Sequence, residues 1–282
     1  MATIGQHHVV VGLDPSAASR AALAWAIDEA VRRRLPLHLV SVHPDLPGVG
    51  RPLLRAAAAR VRDAAPGIAV VTEDRRGPAT ALLVRLSAHA DSLVLGSDGS
   101  GPVPGYVLRH ACCPVVTVPP APQGEPSVIP HGVVVGVDGN SASAAALAHA
   151  FMQASARRTW LEIVHAWQPP GQVSQELLAV SEVVAGWSER FSDVTVRRRL
   201  PMGPAVPALV EASRYAELLV VGGRPSEVGA DGAGGRPVAG STWLDLVGWA
   251  SCPVAVVRQV SAVGTQREIV SPTSAGSTGL AR

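Results

Sequence analysis

The sequence contains no lysine: all 24 of its basic residues are arginine. A P-loop nucleotidase needs a lysine on the β- and γ-phosphates, and a Schiff-base enzyme needs a lysine amine, so chemistry excludes both classes. Cysteine is scarce. Cys112, Cys113 and Cys252 make three in all, too few for a disulfide framework and without a C-x-x-C pair. No apolar run approaches the roughly 18 residues of a membrane span. The N-terminus has neither the basic start nor the apolar stretch of a signal peptide, so the expected location is the cytoplasm. A net charge of only +2 argues for no nucleic-acid surface. Nine histidines are present, but none stands in an H-x3-H or H-E-x-x-H pattern, and no metal site is expected. No G-x-S-x-G elbow marks an activated serine, and no catalytic residue is assigned.

What the chain does have, it has twice. "VVVGLDPS" carries a valine run to Asp14, and "VVVGVDGN" carries nearly the same run to Asp138, 124 residues later. "SLVLGS" and "LLVVGG" place Gly96 against Gly222 at an offset of 126, and "CCPVVTVP" and "SCPVAVVR" place Cys113 against Cys252 at 139. Three landmarks recurring in order describe a duplicated domain rather than a short solenoid repeat. The 282 residues suit two domains of about 140. The expected division is a first domain over 1–120, a proline-rich linker over 121–130, a second domain over 131–258 and a disordered tail over 259–282.

Within each half, short β-branched runs alternate with helical patterns. The first half reads as strands near His8–Asp14, Leu37–His43, Ile68–Glu73, Leu93–Gly96 and Val115–Val118, with helices near Ser16–Arg34, Pro52–Ala64, Ala79–His89 and, briefly, Tyr106–His110. Ser16 is placed to cap the first helix, and Leu23, Ile27 and Val31 recur at helical spacing. The second half repeats this order, with strands near Val133–Asp138, Leu161–Ala166, Thr195–Arg199, Leu218–Gly222 and Val254–Val257. Apolar strands separated by helices imply a parallel sheet covered on both faces, so each half is a small doubly wound, Rossmann-like α/β domain. Val115–Val118 and Val254–Val257 are apolar edge strands, and such edges invite antiparallel pairing, within one chain or between two copies in a homodimer.

In such sheets ligands sit beyond the carboxyl ends of the strands. Gly12 and Asp14 close the first strand, Asp138 its counterpart, while Gly96–Gly99 and Gly222, Gly223 close the fourth strands. An acid can accept hydrogen bonds from a base or sugar. A glycine loop before a helix offers N–H groups and a positive dipole end to phosphate, which together describe a nucleotide site that works without lysine. An aspartate at a strand end is also a turn former or an N-cap. The buried-looking cysteines of "CCP" and "SCP" read as packing residues. His43 and His165 end the second strands and read as core or rim.

These residues resemble the universal stress protein family in its tandem two-domain, actinobacterial-type form. The resemblance rests on "VVVGLDPSAASRAALAWAIDEA", "VVVGVDGNSASAAALAHA", "ADSLVLGSDGSG", "AELLVVGGR", "LRHACCPVVTV" and "GSTWLDLVGWASCPVAVV". It implies a five-stranded sheet in order 3-2-1-4-5 per domain, pairing of domains through the last strand, and adenine-nucleotide binding. ATP is the implied ligand, with magnesium as its companion. Its phosphates would lie on a G-x2-G-x9-G-[S/T] loop, the first-strand aspartate would face the adenosine, and Val42 or Ala166 would pack near the base. Neither half keeps that loop whole. In the first, Gly105-Tyr106 follows Gly99 after five residues, and the shortening is expected to remove the start of the fourth helix. In the second, Gly240-Ser241-Thr242 stands 12 residues before Cys252, but Pro225 takes the second glycine position. The expected function is a non-catalytic stress-response protein binding ATP in its second half. The alternatives are a nucleotide-free dimerising scaffold and a slow ATPase.

Overall fold

The computed structural model describes residues 7–44, 48–99, 101–121, 131–138, 141–168, 181, 184–223 and 242–258. The expected linker beyond Ala121 and the tail from Gln259 lie outside the described residues. In the first half β1 (Val9–Gly12), β2 (Leu37–His43), β3 (Val70–Arg76), β4 (Ser92–Gly96) and β5 (Val115–Val118) alternate with α1 (Ala17–Arg33), α2 (Arg51–Ala64), α3 (Ala79–Ser87) and α4 (Pro102–His110). The second half supplies β6 (Val133–Gly136), β7 (Leu161–Val164), β8 (Val196–Arg199), β9 (Leu218–Gly223) and β10 (Val254–Arg258). Its helices are α5 (Ser141–Arg157), α6 (184–190), α7 (Ala205–Ser213) and α8 (Thr242–Trp249).

All ten strands form one sheet in the order β3-β2-β1-β4-β5-β10-β9-β6-β7-β8, so each half keeps the order 3-2-1-4-5. Every neighbour pair is parallel except the central one. β5 and β10 run antiparallel, with Val115 opposite Val256, Val116 opposite Ala255 and Thr117 opposite Val254. The edge that each half would otherwise expose is covered by the other half of the same chain. The outer edges differ in character: β3 ends in Glu73-Asp74-Arg75-Arg76 and β8 carries Arg197-Arg198-Arg199. Charges on an outer strand oppose further pairing.

The pleat divides the valines between two cores. Val9 and Val11 pack under α1 and α2 while Val10 faces α3 and α4, and Val133, Val135 and Val134 repeat the division in the second half. Both cores run unbroken through β5 and β10. α1 begins where its capping residue places it: Ser16 has extended backbone and its hydroxyl accepts from the Ser19 N–H at 3.0 Å. Leu23 and Ile27 are buried, but Val31 is 49% exposed, and the helix ends just after it at Arg34 in a left-handed turn.

Where α1 meets α5 the packing is polar. His149 is buried among Glu29, Arg33, Arg157 and Asp91, and its Nε2 has no hydrogen-bond partner among the described residues. Burial pulls its pKa down to about 4, with Arg33 and Arg157 adding to the effect and Glu29 and Asp91 opposing it.

Two outcomes follow from this architecture. Proline at Val116 removes a ladder N–H and crowds the strand opposite Ala255. Val116→Pro is expected to lower the thermal midpoint sharply, whereas proline at exposed Gly67 serves as the benign control. For His149, the native pKa lies below the unfolded value of about 6.5, so the unfolded chain binds this proton first as pH falls. Stability is therefore held above about pH 6.5 and lost as pH drops toward 4, by up to about 3 kcal/mol from this residue. His149→Leu should flatten that part of the stability–pH curve, and an unaltered slope would assign the acid sensitivity elsewhere.

Candidate nucleotide cleft

At the carboxyl ends of β1, β2 and β4 lies a cavity of about 220 Å³. Gly12, Asp14, Val42 and Gly96, four of the expected first-half residues, line it. The fifth does not. Gly99, at φ +83°, sits at the junction between halves, where an added Cβ would come within 3.0 Å of the Gly248 Cα. Most of the cavity wall is apolar: Leu13, Val40, Leu83, Leu95 and Val103.

The glycines have packing reasons to be there. A Cβ on Gly96 would stand 2.4 Å from the Ala18 carbonyl carbon and the Ser19 nitrogen, so glycine lets the start of α1 rest on the end of β4. A Cβ on Gly12 would meet Leu95 at 2.5 Å, and one on Gly136 would meet Leu209 at 3.0 Å. Both aspartates shape turns. The Asp14 N–H donates to Ser19 Oγ at 3.0 Å, and its Oδ1 accepts from the Ser16 N–H at 2.9 Å. The Asp138 N–H donates to Ser143 Oγ at 2.9 Å, and that hydroxyl lies 2.5 Å from Asp138 Oδ1. Asp14 remains exposed at the rim of the cavity, so a carboxylate oxygen is still open to the cleft.

The β4–α4 connection departs from what the spacing suggests. The shortening does not cost the helix its start: α4 begins at Pro102, four residues before the expected Tyr106, after Gly101 at φ +89°. Proline's fixed φ favours the first helical position, which explains the early start. The same residues change the chemistry. A helix N-terminus binds anions through its first free N–H groups, and Pro102 and Pro104 have none. Only Val103 donates in that stretch, and its side chain and that of Pro104 face the cavity.

In the second half, Gly222 and Gly223 end β9, and Ala166 is half-buried just past β7. Gly223 packs against β10, where a Cβ would lie 2.9 Å from Val256 Cγ1. Gly240, Ser241 and Pro225 lie outside the described residues, and Thr242 is the first residue of α8. Trp243 is 5% exposed, with the Arg109 guanidinium 5.9 Å from its ring centroid. The histidines at the second strands are held elsewhere: His43 Nε2 is 3.0 Å from Ser41 Oγ, and His165 Nδ1 donates to the Val137 carbonyl at 2.9 Å. Among the described residues no cluster of three His, Cys, Asp or Glu could hold a metal, and no helix is long and apolar enough to cross a membrane.

Comparison with known proteins agrees with this fold. The model of the universal stress protein family matches residues 6–60 and 131–258. The chain belongs to the universal stress protein family. It is 35% identical to universal stress protein Rv2623 of Mycobacterium tuberculosis, over 89% of this chain and 96% of that one. Universal stress protein Rv2005c of the same organism is 33% identical over 90% and 98%. The crystal structure of a universal stress protein from Archaeoglobus fulgidus superposes with a TM-score of 0.69 over 90% of this chain and 97% of that one, at 18% identity. In the first half the family match stops at residue 60, well before the proline-bearing start of α4.

Sequence reading missed Pro102 and Pro104 as donor losses, although "GPVPG" shows both, because the helix was not expected to begin there. The cysteines are where packing puts them. Cys113 and Cys252 are buried, and burial pushes each thiol up to about 12, while Cys112 is exposed. A thiol reagent at pH 8 should therefore label one cysteine per native chain quickly and all three only after denaturation. Rapid labelling of Cys113→Ser at no site would contradict the exposure of Cys112.

Proposed function

We propose that this universal stress protein is a non-catalytic stress-response protein of the cytoplasm that binds an adenine nucleotide, ATP with or without magnesium, through its second half. The supporting observation is the contrast between the two fourth helices. α4 opens with prolines at the two positions flanking Val103. α8 opens Thr242-Trp243-Leu244-Asp245, every residue of which carries an N–H. Phosphate capture requires several such groups converging at one helix start. Asp245 shares that turn but is exposed to solvent, where its charge is screened. Asp138 would face the adenosine, Ala166 would pack by the base, and Gly222, Gly223, Gly240, Ser241 and Thr242 would surround the phosphates. In the first half, Gly12, Asp14, Val42 and Gly96 would form at most a niche for a nucleoside, with Gly99, also expected there, standing instead at the junction with Gly248.

A second reading is supported by the aspartates. Since Asp14 and Asp138 both serve as turn formers through Ser19 and Ser143, a scaffold without nucleotide would keep them too. Titration with Mg-ATP, followed by Trp243 fluorescence and by calorimetry, separates the readings. Ser241→Ala/Thr242→Ala should weaken binding by about tenfold, the value of one or two hydrogen bonds. Asp14→Ala should leave affinity nearly unchanged. The reverse pattern would place the working site in the first half, and absence of binding by the parent would leave the scaffold.

A further inference from the structure

The contact between α1 and α5 contains charges that a buried helix pair does not ordinarily hold. Both helices span 17 residues at an offset of 124, so Trp25, Glu29 and Arg33 correspond to His149, Gln153 and Arg157. Glu29 is 1% exposed and Gln153 2%. These two counterparts touch each other: Gln153 Nε2 donates to Glu29 Oε1 at 2.7 Å. Arg157 Nη2 lies 3.0 Å from Glu29 Oε2, and Arg157 also donates to Gln153 Oε1. Arg33 flanks Glu29 at 3.6 Å and is bridged to Asp91. Corresponding residues in direct contact lie on the pseudo-two-fold axis relating the halves.

A residue on such an axis would meet its own copy whenever a half paired with an identical half. Two first halves would bring Glu29 onto Glu29. Neither carboxylate can donate a hydrogen bond when ionised, and two carboxylates in one buried site cannot both stay charged without large cost. Two second halves would bring Gln153 onto Gln153, leaving each Arg157 without Glu29 and with only Glu217 of its own half, 3.9 Å away. First against second brings together an acceptor, a donor and a cation, with Gln153 Nε2 donating to Glu29 Oε1 and Arg157 ion-paired with Glu29 Oε2.

We propose that the Glu29–Gln153 contact is a pairing code: it makes the α1 face of the first half accept the α5 face of the second and reject a copy of itself. The consequence is closure. First-with-second pairing is completed inside one chain, whereas like-with-like pairing would require another copy for each half.

The test is a cycle in the full-length chain: Glu29→Gln, Gln153→Glu and the exchange Glu29→Gln/Gln153→Glu, each followed by thermal unfolding and by light-scattering mass at pH 7.5. Gln153→Glu, which places two carboxylates on the axis, should lower the midpoint by on the order of 10 °C. The exchange restores one acid and one amide beside the paired Arg33 and Arg157, and should recover most of that loss with the parent's mass. If Gln153→Glu does not fold, recovery of folded protein by the exchange supports the code equally. Three results overturn it: Gln153→Glu melting like the parent, an exchange no better than the sum of the single changes, or an exchange that fails to fold.

Discussion

The antiparallel pairing of β5 with β10 is the interaction on which the rest of the structure depends. In the order 3-2-1-4-5 the fifth strand is an edge, and here Val115, Val116 and Val118 are all buried, as are Val254, Ala255, Val256 and Val257. A strand apolar on both faces cannot be left at an edge without inviting association. Joining the two edges removes both, and the sheet then ends in β3 and β8, whose charged residues close it to further growth. The same union lets each hydrophobic core run through both halves. Each core thus spans the boundary between the halves.

Once β5 and β10 are paired, geometry places α1 beside α5 on one face and α4 near α8 on the other. The two faces solve their contact differently. On the α4–α8 side small residues allow close approach: Gly99 meets Gly248, and Gly105 has Leu244 as its neighbour. On the α1–α5 side the contact is ionic, with Arg157 between Glu29 and the Trp25 ring, 5.4 Å from the ring centroid. Burying Glu29 carries a desolvation cost that only its partners offset. Such a contact adds little net stability and much selectivity, because the wrong partner leaves a bare charge.

Much of this was legible in the residues. The repeated valine runs, the capping Ser16 and the alternation of strands with helices lead to the fold, and the apolar edge strands lead to the central pairing. Two things were not. The start of α4 was hidden because "GPVPG" reads as loop chemistry, whereas proline at a first helical position supports a helix. The ionic contact was hidden because Glu29 and Arg33 stand at i, i+4, which on an isolated helix reads as an ordinary exposed pair. Only the second half, folded across the two-fold, turns that face into an interior.

The cleft carries a more general lesson about what a glycine signature reports. Gly96 is required by packing, since a Cβ would stand 2.4 Å from the backbone of α1, while a Cβ on Gly12 or Gly136 would press on the side-chain ends of Leu95 or Leu209. Asp14 and Asp138 are each tied into the first turn of a helix by a serine. These residues would persist in a half that binds nothing, because losing them would damage the fold itself. The groups that distinguish a phosphate site from an empty one are the N–H donors at the start of the fourth helix, which the scaffold does not need. That is where the halves differ: α4 has traded donors for Pro102 and Pro104, and α8 has not. In a duplicated chain the strand ends can stay nearly alike while the connection into the fourth helix, shorter by 13 residues in the first half, changes its donors. The fold-bearing parts of the motif are therefore separable from the helix-start donors that a phosphate would need.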